Sequence, residues 1–140
     1  MTSILGVAEA ALYVEDMEQA RDFYTRVLGL PVTADFGESC FLQTGPQSSL
    51  ILFDIKQLEI RESVIPDHGA YGEGHVALAI DPSDMDAWRE RLETHNVSIE
   101  HEQTWPQGTH SIYFRDPDDN SIELIDGRHY QLLASQQGSK

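Results

Sequence analysis

Segment 111–125, SIYFRDPDDNSIELI, can be laid without a gap on segment 39–53, SCFLQTGPQSSLILF. Ser39 falls on Ser111, Phe41 on Tyr113, Ser49 on Ser121, Leu50 on Ile122 and Leu52 on Leu124, and just beyond, Asp54 falls on Asp126. Upstream, EAALYV (9–14) lies on HVALAI (75–80), Asp16 and Met17 lie on Asp84 and Met85, and Gly29 and Leu30 lie on Asn96 and Val97. The offset drifts slightly between these segments, which puts small insertions in loops. A period near half the chain length means two similar modules and not a solenoid.

Each module reads as strand, helix, strand, strand, strand. Residues 9–14 and 75–80 have the apolar patterning of strands. Asp16 is placed to cap a helix, with Gln19 three residues on; Met17, Ala20, Phe23, Tyr24, Val27 and Leu28 then recur at helical spacing as core, and Gly29 suits the position just past the end. In the second module Ser83 or Asp84 caps a helix carrying Met85, Trp88 and Leu92, with Asn96 as its stop. The last two strands of each module are joined by turns, TGPQS in the first and DPDDN in the second. The expected fold class is therefore α+β: two βαβββ modules in tandem, about 4–55 and 74–128, in one domain. A connector spans 56–73, with Pro66, Gly69 and Gly72, and a polar, frayed tail spans 135–140.

Composition narrows the function. A chain of 140 residues with 40% apolar residues, two Trp, five Tyr and five Phe can build one core. Nine basic against 24 acidic residues leave a net charge of −15, which repels phosphate backbones and anionic lipid, so neither nucleic acid nor membrane is an expected partner. There is no apolar run of membrane-spanning length and no secretory leader pattern, so a cytoplasmic protein is expected. Cys40 is the single cysteine; it permits neither an internal disulfide nor a cysteine zinc site, and without a basic neighbour it reads as a packing residue. No Ser/His/Asp arrangement, phosphate loop or dinucleotide fingerprint is present.

Strand parity singles out three ionisable residues. In 75–80, Val76, Leu78 and Ile80 form the bulky face and leave His75 with Ala77 and Ala79 on the other. In 9–14, Glu9 shares a face with Ala11 and Tyr13; in 121–125, Glu123 lies opposite Ile122 and Leu124. Glu9 and His75 occupy equivalent places in the two modules. A Glu in an apolar strand is costly to bury unless something pairs with it, and a metal cation is one such partner. Small residues beside these groups leave room for a ligand.

The stretches ALYVEDMEQARDFYTRVLGL (11–30), GHVALAI (74–80) and SIYFRDPDDNSIELID (111–126) resemble the vicinal oxygen chelate superfamily, which holds glyoxalases, bleomycin-resistance proteins, extradiol dioxygenases, fosfomycin-resistance enzymes and an epimerase. The resemblance covers almost the whole chain. It implies a curved mixed sheet around a central cavity with a divalent metal, commonly in a homodimer whose subunits sometimes share ligands. Position by position, the ligands fall on Glu9, His75 and Glu123, while the remaining last-strand position is Ile51, which cannot bind a metal. Glu9 stands where many family enzymes have His, so the two-His-one-carboxylate set of the dioxygenases is incomplete, and one His with two carboxylates favours Mn²⁺, Mg²⁺ or Fe²⁺. The family turn Asp-Pro-x-Gly-Asn is DPDDN here, and Asp119 is expected to take the left-handed conformation in place of Gly.

Taken alone, His75 reads as a hydrogen-bonded structural histidine, Glu123 as an edge-strand residue facing solvent, and Glu9 as an exposed acid or a pocket base. The family positions turn all three into ligands, with Glu9 and Glu123 as the catalytic carboxylates. Ser111 and Tyr113 share the parity that faces Glu123 across the hairpin and are pocket candidates, as is Trp105 in QTWPQG. His68, in a connector able to fold over the pocket mouth, is another, against its reading as an ordinary loop histidine. His110 is similar, whereas His95, His101 and His129 read as surface residues. The leading expectation is a metal-dependent glyoxalase-like lyase or isomerase acting on a small substrate with adjacent oxygens, using Mn, Fe, Ni, Zn or Mg. The alternatives are a metal-free, bleomycin-resistance-like protein binding a cationic small molecule with no cofactor, an extradiol-type dioxygenase, and a domain kept only for interaction.

Overall fold

The computed structural model describes residues 2, 4–60, 62 and 68–138, with backbone alone for 136–138. The chain divides into two compact units. One takes residues up to Gly74 together with Pro117–Asn120, and the other takes His75–Asp116 and the residues from Ser121 onward. Each is a four-stranded mixed sheet with helices, and the two repeat one plan.

In the first unit, β1 (Glu9–Val14) is followed by α1 (Met17–Asp22), β2 (Val32–Asp35), β3 (Ser39–Gly45) and β4 (Ser48–Asp54) in the sheet order β1-β4-β3-β2. β1 runs parallel to β4, with Glu9 opposite Ser49, while β3 is antiparallel to both its neighbours. The Asp16 carboxylate accepts the Gln19 N–H at 3.1 Å, the expected cap. Met17, Ala20, Phe23, Tyr24, Val27 and Leu28 are all buried, as is Cys40, whose thiol burial pushes up, ahead of smaller effects from Arg21 and Asp35. The stripe does not stay α-helical: after Asp22 the chain widens into a π-turn over Phe23–Val27, then leaves through Gly29 at φ +70°. Periodicity cannot separate the two, because one extra residue per turn still keeps Phe23, Tyr24 and Val27 on the buried side.

In the second unit, β5 (His75–Ile80) precedes α3 (Met85–Thr94), β6 (His101–Thr104), β7 (His110–Arg115) and β8 (Ser121–Asp126), in the order β5-β8-β7-β6. The helix starts differently from expectation. Asp81, not Ser83 or Asp84, is the capping side chain; it takes the Ser83 N–H at 2.9 Å at the head of a short 3₁₀ turn, Pro82–Asp84, that runs into α3. Met85 and Leu92 are buried, whereas Trp88 is only half-buried, under the Arg91 guanidinium. Asn96 and Asp119 both adopt the left-handed conformation, at φ 59° and 63°.

Two segments differ from the sequence reading. The connector carries a short helix, α2 (Ile55–Ile60), whose Ile55 is buried; Pro66 lies outside the described residues. The tail expected to fray from Ser135 instead continues α4 (His129–Gly138), and Ser139 and Lys140 lie outside the described residues. His129 at its head is buried and bonds the buried Thr109 hydroxyl at 2.6 Å, so it is no surface histidine; a polar side chain starting a polar helix gives no sequence signal of that burial. Among the described residues no helix is long and apolar enough to cross a membrane.

Candidate functional site

β8 sets Glu123 between two strands: antiparallel pairing places it opposite Tyr113 of β7, and parallel pairing places it opposite Ala77 of β5. Its neighbours Ile122 and Leu124 fill the core on the other face, which fixes the strand's rotation and turns Glu123 toward the side where Ala77 leaves space. The carboxylate is nevertheless buried, at 6% exposure. Three polar groups surround it: Ser111 Oγ donates to Oε2 at 2.7 Å, the Tyr113 phenol is a further hydrogen-bond partner, and His75 Nε2 lies 3.4 Å from Oε1.

The histidine geometry tests whether a metal fits. His75 Nδ1 is 3.0 Å from the Ser121 carbonyl oxygen, which can only accept, so Nδ1 carries the proton. In the neutral ring Nε2 is then a bare lone pair aimed at a carboxylate oxygen, two acceptors face to face. A cation between them resolves that opposition, as does a second proton on the ring. An imidazole held by its other nitrogen on a backbone carbonyl is the usual arrangement of a metal-ligating histidine, and half of the His75 side chain remains exposed to solvent. The donor set fits a divalent cation.

The rest of the wall comes from the β6–β7 hairpin. Register pairs His101 with Tyr113 and Gln103 with Ser111, which puts four side chains of one parity on one face. Trp105 opens a tight turn and swings its indole back, so that Nε1 donates to Ser111 Oγ at 2.9 Å. Tyr113 stacks beside His75 at 6.4 Å between ring centroids. Burial first, then the charge and hydrogen bonding of Glu123, push its phenol above the ordinary value of 10.0, so the hydroxyl stays protonated. A cavity of about 190 Å³ opens on this hairpin, lined by His101, Gln103, Trp105, Tyr113 and Arg115 and not by His75 or Glu123.

Among the expected residues, His75, Glu123, Ser111, Tyr113 and Trp105 therefore come together in the second unit. Glu9 and His68 belong to the first. Glu9 heads β1 and is exposed. His68 accepts or donates through Nδ1 with the Tyr13 hydroxyl at 2.8 Å and packs its ring edge against Phe53 at 4.6 Å, so this connector histidine is tied down to β1 and β4. Among the described residues no three His, Cys, Asp or Glu side chains cluster closely enough to hold a metal by themselves. His110 is a structural link: it reaches Thr104 at 2.8 Å and Glu102 at 3.2 Å, and Glu102 in turn pairs with Arg89. His101 is exposed, as expected of a surface residue, and with half-buried Gln103 it lines this open cavity, which was not foreseen. Their alternation in HEQT was the available signal, but a four-residue polar strand has no apolar face to fix its rotation.

The two units carry the same βαβββ order, each a four-stranded mixed sheet with helices, and this repeat defines the class of fold. The family model for the Glyoxalase/Bleomycin resistance protein/Dioxygenase superfamily matches residues 6–124, and the chain belongs to that superfamily. It is 31% identical over 134 residues to the metallothiol transferase FosB of Shouchella clausii, covering 92% of this chain and 85% of that one. Among solved structures, lactoylglutathione lyase from Agrobacterium tumefaciens is similar with a TM-score of 0.85 at 34% identity, over 92% of this chain and 98% of that chain. A fosfomycin resistance protein, FosX, from Listeria monocytogenes, solved with Mn(II) and 1S,2S-dihydroxypropylphosphonic acid, shares the fold with a TM-score of 0.68 at 23% identity, over 94% and 97% of the two chains.

Proposed function

We propose that this chain is a divalent-metal-dependent, glyoxalase-like enzyme of the lyase or isomerase type, acting on a small substrate with two adjacent oxygens. The observation that carries the reading is the His75–Glu123 relationship: a carbonyl-anchored imidazole presenting its free nitrogen to a buried carboxylate oxygen at 3.4 Å. The similarity to a lactoylglutathione lyase along nearly the full length of both chains supports the reaction type. In this reading His75 Nε2 and Glu123 Oε1 hold the ion, and Glu9 is the third ligand by its family position, from the same chain or from a second copy in a homodimer. When bound, the ion supplies Lewis acidity toward the substrate oxygens. The oxygen-rich donor set favours Mn²⁺, Mg²⁺ or Fe²⁺ over softer ions.

The chain's own residues do the rest. Trp105, Tyr113 and His101 line the adjacent cavity, where a small substrate can rest. The Tyr113 hydroxyl, held protonated, is hydrogen-bonded to Glu123 and steadies that carboxylate beside His75. Glu9, exposed on its strand, moves a proton as general base. The cytoplasm is the proposed location.

The test is metal analysis of protein purified without chelator, followed by turnover of the hemithioacetal of methylglyoxal with a small thiol after reloading with Mn²⁺, Ni²⁺, Fe²⁺ or Zn²⁺. Metal-dependent turnover that Glu9→Gln abolishes supports the reading. Tight binding of a cationic drug by metal-free protein, with no turnover under any loading, replaces it with the sequestration reading.

A further inference from the structure

The metal-site reading leaves one feature unused: a buried donor chain ending on the far oxygen of Glu123. Trp105 Nε1 donates to Ser111 Oγ at 2.9 Å, and Ser111 Oγ donates to Glu123 Oε2 at 2.7 Å. The direction of this chain is fixed by chemistry. An indole N–H can only donate, so it takes a lone pair of the hydroxyl; the serine's one hydrogen then has two acceptors within reach, Glu123 Oε2 at 2.7 Å and the Tyr113 phenol, of which the carboxylate is the stronger. That hydrogen therefore goes to Oε2, as the geometry has it.

The fold invests in keeping it there. The Gly108 N–H bonds the Trp105 carbonyl at 2.8 Å and the Trp105 N–H bonds the Thr109 carbonyl at 2.9 Å, closing a turn that needs Gly108 at φ +86°. Behind the indole stands the ring of buried His129, 5.4 Å away and itself pinned by Thr109. A surface-loop tryptophan does not need such backing.

We propose that Trp105 and Ser111 are positioning residues for the Glu123 carboxylate: their one-way donor chain occupies Oε2 and reserves Oε1, the oxygen beside His75, as the single ligating atom. This rests on the metal-site reading. Without the chain the carboxylate is free to turn about its terminal bond and to present either oxygen or both, so affinity and ion preference both depend on two residues that do not touch the ion. Hydrogen-bonded partners of metal ligands carry roughly 10- to 100-fold in affinity.

The experiment is calorimetric titration of Mn²⁺ into the full chain, with the Trp105 indole N–H resonance followed in parallel by NMR and Trp88 as the internal control. Ser111→Ala is expected to weaken binding roughly 10- to 100-fold and Ser111→Thr, which keeps the hydroxyl, to restore most of it. Trp105→Phe, which keeps an aromatic ring and loses the donor, is expected to weaken binding roughly tenfold. In the wild type, titrated with diamagnetic Mg²⁺ for the NMR, the Trp105 resonance should shift while that of Trp88 stays still. Should Ser111→Ala fold poorly, Ser111→Thr and Trp105→Phe decide the matter alone. Wild-type affinity in Trp105→Phe, with binding lost in Glu123→Ala, overturns the positioning role and leaves the metal site standing. Undiminished binding in Glu123→Ala removes the site itself, and the positioning role with it.

Discussion

His75 Nε2 faces Glu123 Oε1 at 3.4 Å while the other ring nitrogen is committed to the Ser121 carbonyl. At a pH where the imidazole is neutral, two acceptors oppose each other. Replacing the carboxylate by an amide relieves that opposition, since the amide can donate to Nε2. Glu123→Gln is therefore expected to remain within about 1 kcal/mol of wild-type stability in chelator at alkaline pH, by urea denaturation, while losing divalent metal binding. Strong destabilisation would show that the fold needs the carboxylate itself at this position and that the two acceptors do not oppose each other.

Gly74 precedes His75 and has no room for a side chain. An added Cβ would meet Leu12 Cδ2 at 2.8 Å and Asn120 Oδ1 at 3.0 Å, and the Gly74 N–H already bonds that same Oδ1 at 2.7 Å. Leu12 and Asn120 are both buried, so neither yields easily. Gly74→Ala should cost about 1–3 kcal/mol, read from denaturant midpoints.

Buried Asp126 is held by the Arg128 guanidinium first, and also by the Arg128 backbone N–H, below its ordinary value of 3.8. A carboxyl depressed on folding adds stability that is fully present above about pH 4 and disappears as pH falls through the folded value. Asp126→Asn should thus be less stable than wild type by about 1 kcal/mol at pH 7, the half-exposed guanidinium limiting the gain, and the gap should close near pH 2. Thermal unfolding followed by circular dichroism across that range checks both sign and window.

Thr109 and His129 satisfy one another inside the second unit at 2.6 Å. Thr109→Val keeps the shape and strands the imidazole nitrogen, so a loss of about 1–3 kcal/mol is expected in calorimetric melting. An unchanged melting temperature would mean that His129 finds another partner or leaves its pocket.

Much of this was legible from residues whose roles are local or repeated. The Asp16 cap, the Phe23–Tyr24 stripe, Asn96 as the stop of its helix, and the parity of His75, Ser111, Tyr113 and Glu123 follow from spacing and repetition, whereas the left-handed Asp119 came from the resemblance of DPDDN to the family turn. What stayed hidden depends on contacts between distant segments. His129 looked superficial because its burial comes from Thr109 and Trp105, twenty or more positions earlier in the chain. The Trp105-to-Glu123 chain was invisible for the same reason, although both its hydroxyl and its indole stood among the candidates. The π-turn at Phe23 and the Asp81 cap show the opposite failure, in which several local solutions bury the same side chains and sequence patterning does not choose among them.

The most direct test of the metal-site reading is an anomalous difference map from crystals grown with Mn²⁺. The account predicts one peak about 2.0–2.3 Å from both His75 Nε2 and a single Glu123 oxygen, Oε1, with Oε2 still bonded to Ser111. A map with full Mn²⁺ occupancy elsewhere and none between His75 and Glu123 would contradict it.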